Sequence, residues 1–159
     1  MTYHSLREFI EQLETQNELI RIKDQVSPIL EISEITDRVS KQDGGGKALL
    51  FENVEGSNIP VLINAFGSTK RINLALGVQN IEKIPNDIEK YIKIVPPSSL
   101  LEKIKLLPML LEAAAFPPKI VSANQALCQE IVYTGDDVDL EKIPILQCWP
   151  SDAGRFITF

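Results

Sequence analysis

The chain has 159 residues, 44% apolar and 24% charged, the proportions of a globular protein with a core to bury, which excludes a disordered chain. Its net charge of -6 repels a phosphate backbone and argues against nucleic-acid binding. The longest apolar stretch, Leu106 to Phe116, is too short to span a bilayer and is interrupted by Pro108 and Glu112; the start turns at once into a charged amphipathic pattern with no signal peptide. A cytoplasmic protein is expected, with Cys128 and Cys148, which form no CxxC pair, as buried thiols in a reducing compartment.

Ser5 and Glu8 have capping-box spacing, and Leu6, Phe9, Ile10 and Leu13 follow on one helical face, which predicts a helix from Leu6 to Gln16. Asn17 ends it, and Glu18 to Lys23 alternates like a strand. Ser27-Pro28, a hydroxyl cap followed by a proline, predicts the start of a second helix burying Ile32, Ile35 and Val39. Gly44, Gly45 and Gly46 close it. Lys47 to Val54 and Ile59 to Ala65 read as two strands joined by the hairpin turn Glu55 to Asn58. A third helix is expected from Ser68, burying Ile72, Leu74 and Leu76, and another from Asn80 to Tyr91, kinked or split at Pro85. Pro96-Pro97 breaks the chain. Ser99 and Glu102 form a second capping box that opens a helix through Leu107, and Pro117-Pro118 breaks the chain again. Beyond it, Cys128 to Thr134 is a strand pattern and Gly135-Asp136-Asp137 a turn. Ile143 to Leu146 is extended because the residue before Pro144 avoids the helical region, and Phe156 to Phe159 begins a strand.

Little in this pattern carries chemistry by itself. The triple glycine sits between helix and strand, the reverse of a phosphate cradle, and reads as a helix stop with a flexible turn. Gly67-Ser68-Thr69-Lys70-Arg71 has the right order, strand into helix, with hydroxyls and two cations beside free amides, so an anion could bind there. Against that stands a plain capped helix with Lys70 and Arg71 solvated. His4, the only histidine, has no evident partner, and Asp136, Asp137 and Asp139 lack the rest of a calcium loop and read as turn formers.

Several segments together resemble the UbiD family of decarboxylases. Tyr3 to Ile10 (YHSLREFI) with Glu18 to Ile22 (ELIRI) is similar to that family's first helix and strand, and Glu31 to Arg38 (EISEITDR) to its second helix. Ala48 to Val54 (ALLFENV) and Pro60 to Gly67 (PVLINAFG) resemble its first hairpin. Gly135 to Leu140, Ile143 to Pro150 and Asp152 to Thr158 resemble the entry to its flavin-binding domain. Any one segment would say little; all of them in the same order are specific.

The resemblance implies a carboxy-lyase of the 3-octaprenyl-4-hydroxybenzoate or menaquinone-precursor type, catalysing reversible, non-oxidative decarboxylation of an aromatic or α,β-unsaturated acid. It implies prenylated FMN as electron sink, made by a separate flavin prenyltransferase, with Mn2+ and K+, and assembly into a homo-oligomer. The family's metal ligands and acidic proton donor come after the strand begun by Phe156, so no catalytic residue and no metal ligand is carried over. Thr158, at the start of the barrel that holds the flavin, is the one cofactor-binding position expected.

The fold expected is α+β. Residues 1–95 form a small mixed sheet with packed helices, residues 96–118 a helical connector, and residues 119–159 the first strands of a truncated split β-barrel. The chain alone is expected to be inactive. Leu146 and Trp149 are expected to face a core completed elsewhere, so that a chain cut near Pro117 loses no stability and the full chain self-associates through its last forty residues. Two rivals stand beside this reading: a non-catalytic subunit of a split enzyme, and an anion-binding module using the helix start at Gly67 to Arg71.

Overall fold

The computed structural model of the chain describes residues 3–93, 104, 107, 108, 110, 111, 118, 120–155 and 157, the side chains of 90 and 91 excepted. They fall into two compact units: residues 1–84 with 139–159, and residues 85–138.

In the first unit α1 spans Leu6–Thr15. Ser5 Oγ accepts from the Glu8 amide at 3.3 Å, while the Glu8 carboxylate accepts from the amide of His4 at 2.8 Å, one residue further back than a reciprocal capping box. Asn17 stops the helix in the left-handed region, φ 56°, with its own amide bonded to the Glu14 carbonyl and that of Glu18 to Leu13. Strand β1, Leu19–Ile22, pairs in parallel with β2, Ala48–Phe51, which pairs antiparallel with β3, Val61–Ile63; the order is β1-β2-β3. A parallel pair needs a crossover, and α2, Glu31–Ser40, supplies it.

The central strand explains the layering. All four residues of β2 are buried, as a continuous apolar run requires when both faces of a sheet are covered. Leu49 and Phe51 point to one side, where Ile32, Ile35 and Val39 of α2 pack with Val26 and Val54. Ala48 faces the other side, against Phe9 and Leu13 of α1 and Leu74 and Ala75 of α3, Thr69–Leu76. The residues expected to line α2 do so. In α3, by contrast, Leu76 is exposed, Ile72 and Leu74 are only half-buried, and the one fully buried residue is Arg71.

The start of α2 is displaced from its expected place. Ser27 does not cap it; the helix opens three residues after Pro28, behind Leu30 at φ 67°. Tertiary pairing outweighs the local signal here. The Leu30 amide donates to the Gln147 carbonyl at 2.9 Å and the Gln147 amide to the Pro28 carbonyl at 3.1 Å, which holds residues 28–30 out of helical conformation. The Glu31 carboxylate takes up the Ser27 amide instead, at 2.7 Å.

Residues 139–155 belong to this first unit. Leu146 packs against the cluster of α2 and β2, and Ser57 Oγ donates to the Lys142 carbonyl at 2.7 Å. Leu146, expected to face a core supplied elsewhere, therefore faces one made by residues 22–63, whereas Trp149 is exposed.

The helix α4, Lys83–Ile92, most of it in the second unit, carries Pro85 in its first turn, where the missing amide would have had no intrahelical partner; it is not split there. Ile104, Leu107, Pro108, Leu110 and Leu111 are helical, while Ser99 and Glu102 lie outside the described residues. Cys128 to Thr134 is not a strand: Leu127–Gln129 is a single 3-10 turn and Ile131, Val132 and Tyr133 are exposed. Among the described residues no other strand runs beside it to satisfy its amides. Cys128 is exposed rather than buried, and Cys148 is only half-buried.

Candidate functional site

The helix start at Gly67 to Arg71 is built as the sequence reading requires, but its cations are turned inward. Ser68 Oγ accepts from the Arg71 amide at 3.2 Å and caps α3. Lys70 Nζ reaches Glu18 Oε1 at 2.8 Å and the Gln16 carbonyl at 3.3 Å. Arg71, 0% exposed, donates through Nη1 to Glu18 Oε2 at 2.9 Å and to the Gly46 carbonyl at 2.6 Å, and through Nη2 to the Gly45 carbonyl at 3.3 Å. Arg71 is thus not solvated, and Lys70 is committed to the same carboxylate.

The triple glycine is the other half of this junction. Asn64, at φ 56°, donates to the carbonyls of Gly45 and Lys47, both at 2.9 Å. Gly45 stands at φ 82°, and a Cβ there would lie 1.9 Å from the Gly67 carbonyl oxygen; a Cβ on Gly67 would lie 1.8 Å from Asn64 Oδ1. Turns distant in sequence therefore close on one another, with Arg71 between them. Glu18, Asn64 and the inward turn of Arg71 had no local signal: Arg71 meets its partners across 53, 25 and 26 positions.

Partial burial works to raise the Glu18 carboxyl, but the hydrogen bonds and charges of Lys70 and Arg71 outweigh it and hold the group below its ordinary value of 4.5. A carboxylate depressed in the folded state contributes stability above its unfolded value and loses it as pH falls through the folded one. Acid unfolding followed by circular dichroism should therefore show a component below pH 4.5 that Glu18→Gln flattens; an identical acid profile in the variant would contradict this. Smaller effects are expected nearby. Ser68→Ala should cost about 1 kcal/mol as a lost cap, and Lys70→Ala, whose side chain is half-exposed, about 0.5 kcal/mol, both read from urea midpoints.

A second concave feature of about 440 Å³ lies where residues 147–150 meet α2, walled by Ile29, Leu30, Ser33 and Trp149. The carboxylates on its rim already have partners: Glu31 the Ser27 amide, Glu34 Arg38 and Asp37 Lys41. The Asp152 carboxylate accepts from the amides of Cys148 and Trp149 at 3.1 and 2.8 Å and fixes the turn between them. Among the described residues no group of three or more His, Cys, Asp and Glu is placed to hold a metal. Asp136 and Asp137 sit in the 3-10 turn Gly135–Asp137, and Asp139 caps the next one through the Glu141 amide at 3.0 Å. His4 engages through its main-chain amide to Glu8. Thr158 lies outside the described residues.

The N-terminal domain of 3-octaprenyl-4-hydroxybenzoate carboxy-lyase matches residues 10–89, and the Rift-related domain of the same enzyme matches residues 119–159. The chain belongs to the UbiD carboxy-lyase family. An uncharacterized protein of Aquifex aeolicus is 52% identical over 157 residues, 99% of this chain and 32% of that protein. Among solved structures, an evolved dimeric form of the UbiD-class enzyme HmfF from Pelotomaculum thermopropionicum, in complex with prFMN, is 27% identical with a TM-score of 0.68, over 98% of this chain and 31% of that one. Vanillic acid decarboxylase of Sedimentibacter hydroxybenzoicus in its open form, 24% identical, shares the fold with a TM-score of 0.73 over 98% and 30%. The chain spans about a third of the length of these UbiD relatives. No helix among the described residues is long and apolar enough to cross a membrane.

The helix start at Gly67 to Arg71 does not fit the phosphate of prenylated FMN: both of its cations rest on Glu18, and the glycine turn beside it is filled by Arg71 and the Gly67 carbonyl.

Proposed function

We propose that these 159 residues are the scaffold portion of a UbiD-type decarboxylase. Its reaction is the reversible, non-oxidative decarboxylation of an aromatic or α,β-unsaturated carboxylic acid, of the kind used on ubiquinone and menaquinone precursors. The observation that carries this reading is the pair of matches, 10–89 and 119–159, in the order the carboxy-lyase has them. They fall either side of the stretch read as a connector, and support a division into residues 1–95, 96–118 and 119–159, the last entering a split barrel. Prenylated FMN, with Mn2+ and K+, belongs to the proposal through the family, as do a flavin prenyltransferase as supplier, a homo-oligomeric state and a cytoplasmic location.

The role assigned to this chain is architectural. Its polar junction at Glu18, Asn64 and Arg71 fixes the N-terminal layer, and residues 139–152 pack back onto that layer. Thr158 is the position proposed to contact the cofactor, and no residue here is assigned a catalytic or metal-binding part. The 159-residue chain, supplied with prenylated FMN and Mn2+, is accordingly expected neither to retain flavin on a desalting column nor to release CO2 from aromatic acids. Release above a heat-killed control, lost when the cofactor is withheld, would overturn the architectural assignment.

A further inference from the structure

We propose that Glu18 is a latch for α3: its single carboxylate keeps α3 and the turn before it docked, and without that charge this segment undocks while the α2 side of the sheet stays folded. The case begins with what α3 lacks. It has eight residues, too few to be stable unsupported, and none of its apolar side chains is fully buried. Leu74 and Ala75 only flank the cluster of Phe9, Leu13 and Ala48, and one further tie is the Tyr3 hydroxyl donating to the Leu74 carbonyl at 2.9 Å. The side chain α3 does bury is a cation.

That cation is satisfied from outside its helix. Glu18 Oε2 and the carbonyls of Gly45 and Gly46 receive Nη1 and Nη2 of Arg71, while Nε is buried with no protein partner. Glu18 also receives Lys70, so both cations of α3 rest on one carboxylate. Lys47, the other cation of the neighbouring turn, is held by Asn17 Oδ1. Among the described residues Glu18 is the carboxylate paired with Arg71, so neutralising it leaves that guanidinium buried without a described counter-ion, and the least disruptive relief is for the short helix that carries it to come away. The remaining core of Val26, Ile32, Leu49, Phe51 and Val54 draws no residue from α3, so it has no need to open with it.

Amide hydrogen exchange on the full 159-residue chain tests the latch. In Glu18→Gln, amides of α3 are expected to accelerate at least tenfold more than those of α2 and β2. In the double variant Glu18→Gln with Arg71→Met, which removes the buried charge with its partner, α3 should regain slow exchange. Equal acceleration in all three elements, an unfolded single variant, or α3 exchanging as fast in the double variant as in the single would each overturn the latch.

Discussion

Arg71→Ala is expected to lower the unfolding free energy of the first unit by about 3–5 kcal/mol, the range for removing one member of a buried ion pair. The residue is 0% exposed and holds Glu18 and two main-chain carbonyls at once, so truncation leaves the carbonyls of Gly45 and Gly46 without this donor and a void beside them. Arg71→Met fills most of that volume without a charge, and should recover more than half of the loss, because replacing a buried charge by an apolar side chain is far gentler than leaving its hole. Lys70, on the same carboxylate but half in solvent, is expected to cost only about 0.5 kcal/mol on truncation to Ala. Urea unfolding of the three variants decides the matter. If Arg71→Ala and Lys70→Ala cost the same, the buried junction is not what holds α3.

The second large effect concerns the returning segment. A chain ending at Pro117 is expected to be less stable than the full chain by about 2–4 kcal/mol, from part of the burial of Leu146 and three hydrogen bonds, less the ordering of the segment. Leu146 packs on the α2–β2 cluster, Gln147 exchanges two main-chain bonds with residues 28–30, and Ser57 holds the Lys142 carbonyl. This reverses what the strand pattern alone suggests, that residues before Pro96 are self-sufficient. Thermal melts of the two chains measure it, and Leu146→Ala in the full chain should reproduce about 1–2 kcal/mol of the difference. Equal melting of long and short chains would show that the segment lies on the unit without supporting it.

Legibility in the sequence followed the range of the forces. Where neighbours within a few positions decide, structure follows the sequence reading: Ser5 caps α1, Asn17 ends it, and Ala48 to Phe51, within the run Lys47 to Val54, is a strand. Where a distant partner decides, it did not. Ser27-Pro28 is a sound helix start, overridden because residues 28–30 pair with Gln147, well over a hundred positions away in sequence. Lys70 and Arg71 read as surface cations because Glu18 and the glycine turn are brought to them only by the closed sheet. The apolar pattern at Cys128 to Thr134 called for a strand, but a strand needs a neighbour and the described residues supply none. The family was legible all the same, since it rests on the order of several local segments, and the matches at 10–89 and 119–159 cover most of them.

The central claim, a scaffold within a flavin-dependent carboxy-lyase, is tested most directly by labelled CO2 exchange. The natural polypeptide that carries these residues is produced together with a flavin prenyltransferase and offered a panel of aromatic and α,β-unsaturated acids. The expected result is flavin in the purified protein and incorporation of label into at least one acid, both lost when the prenyltransferase is left out. A protein that purifies without flavin and exchanges CO2 with none of them would contradict the account.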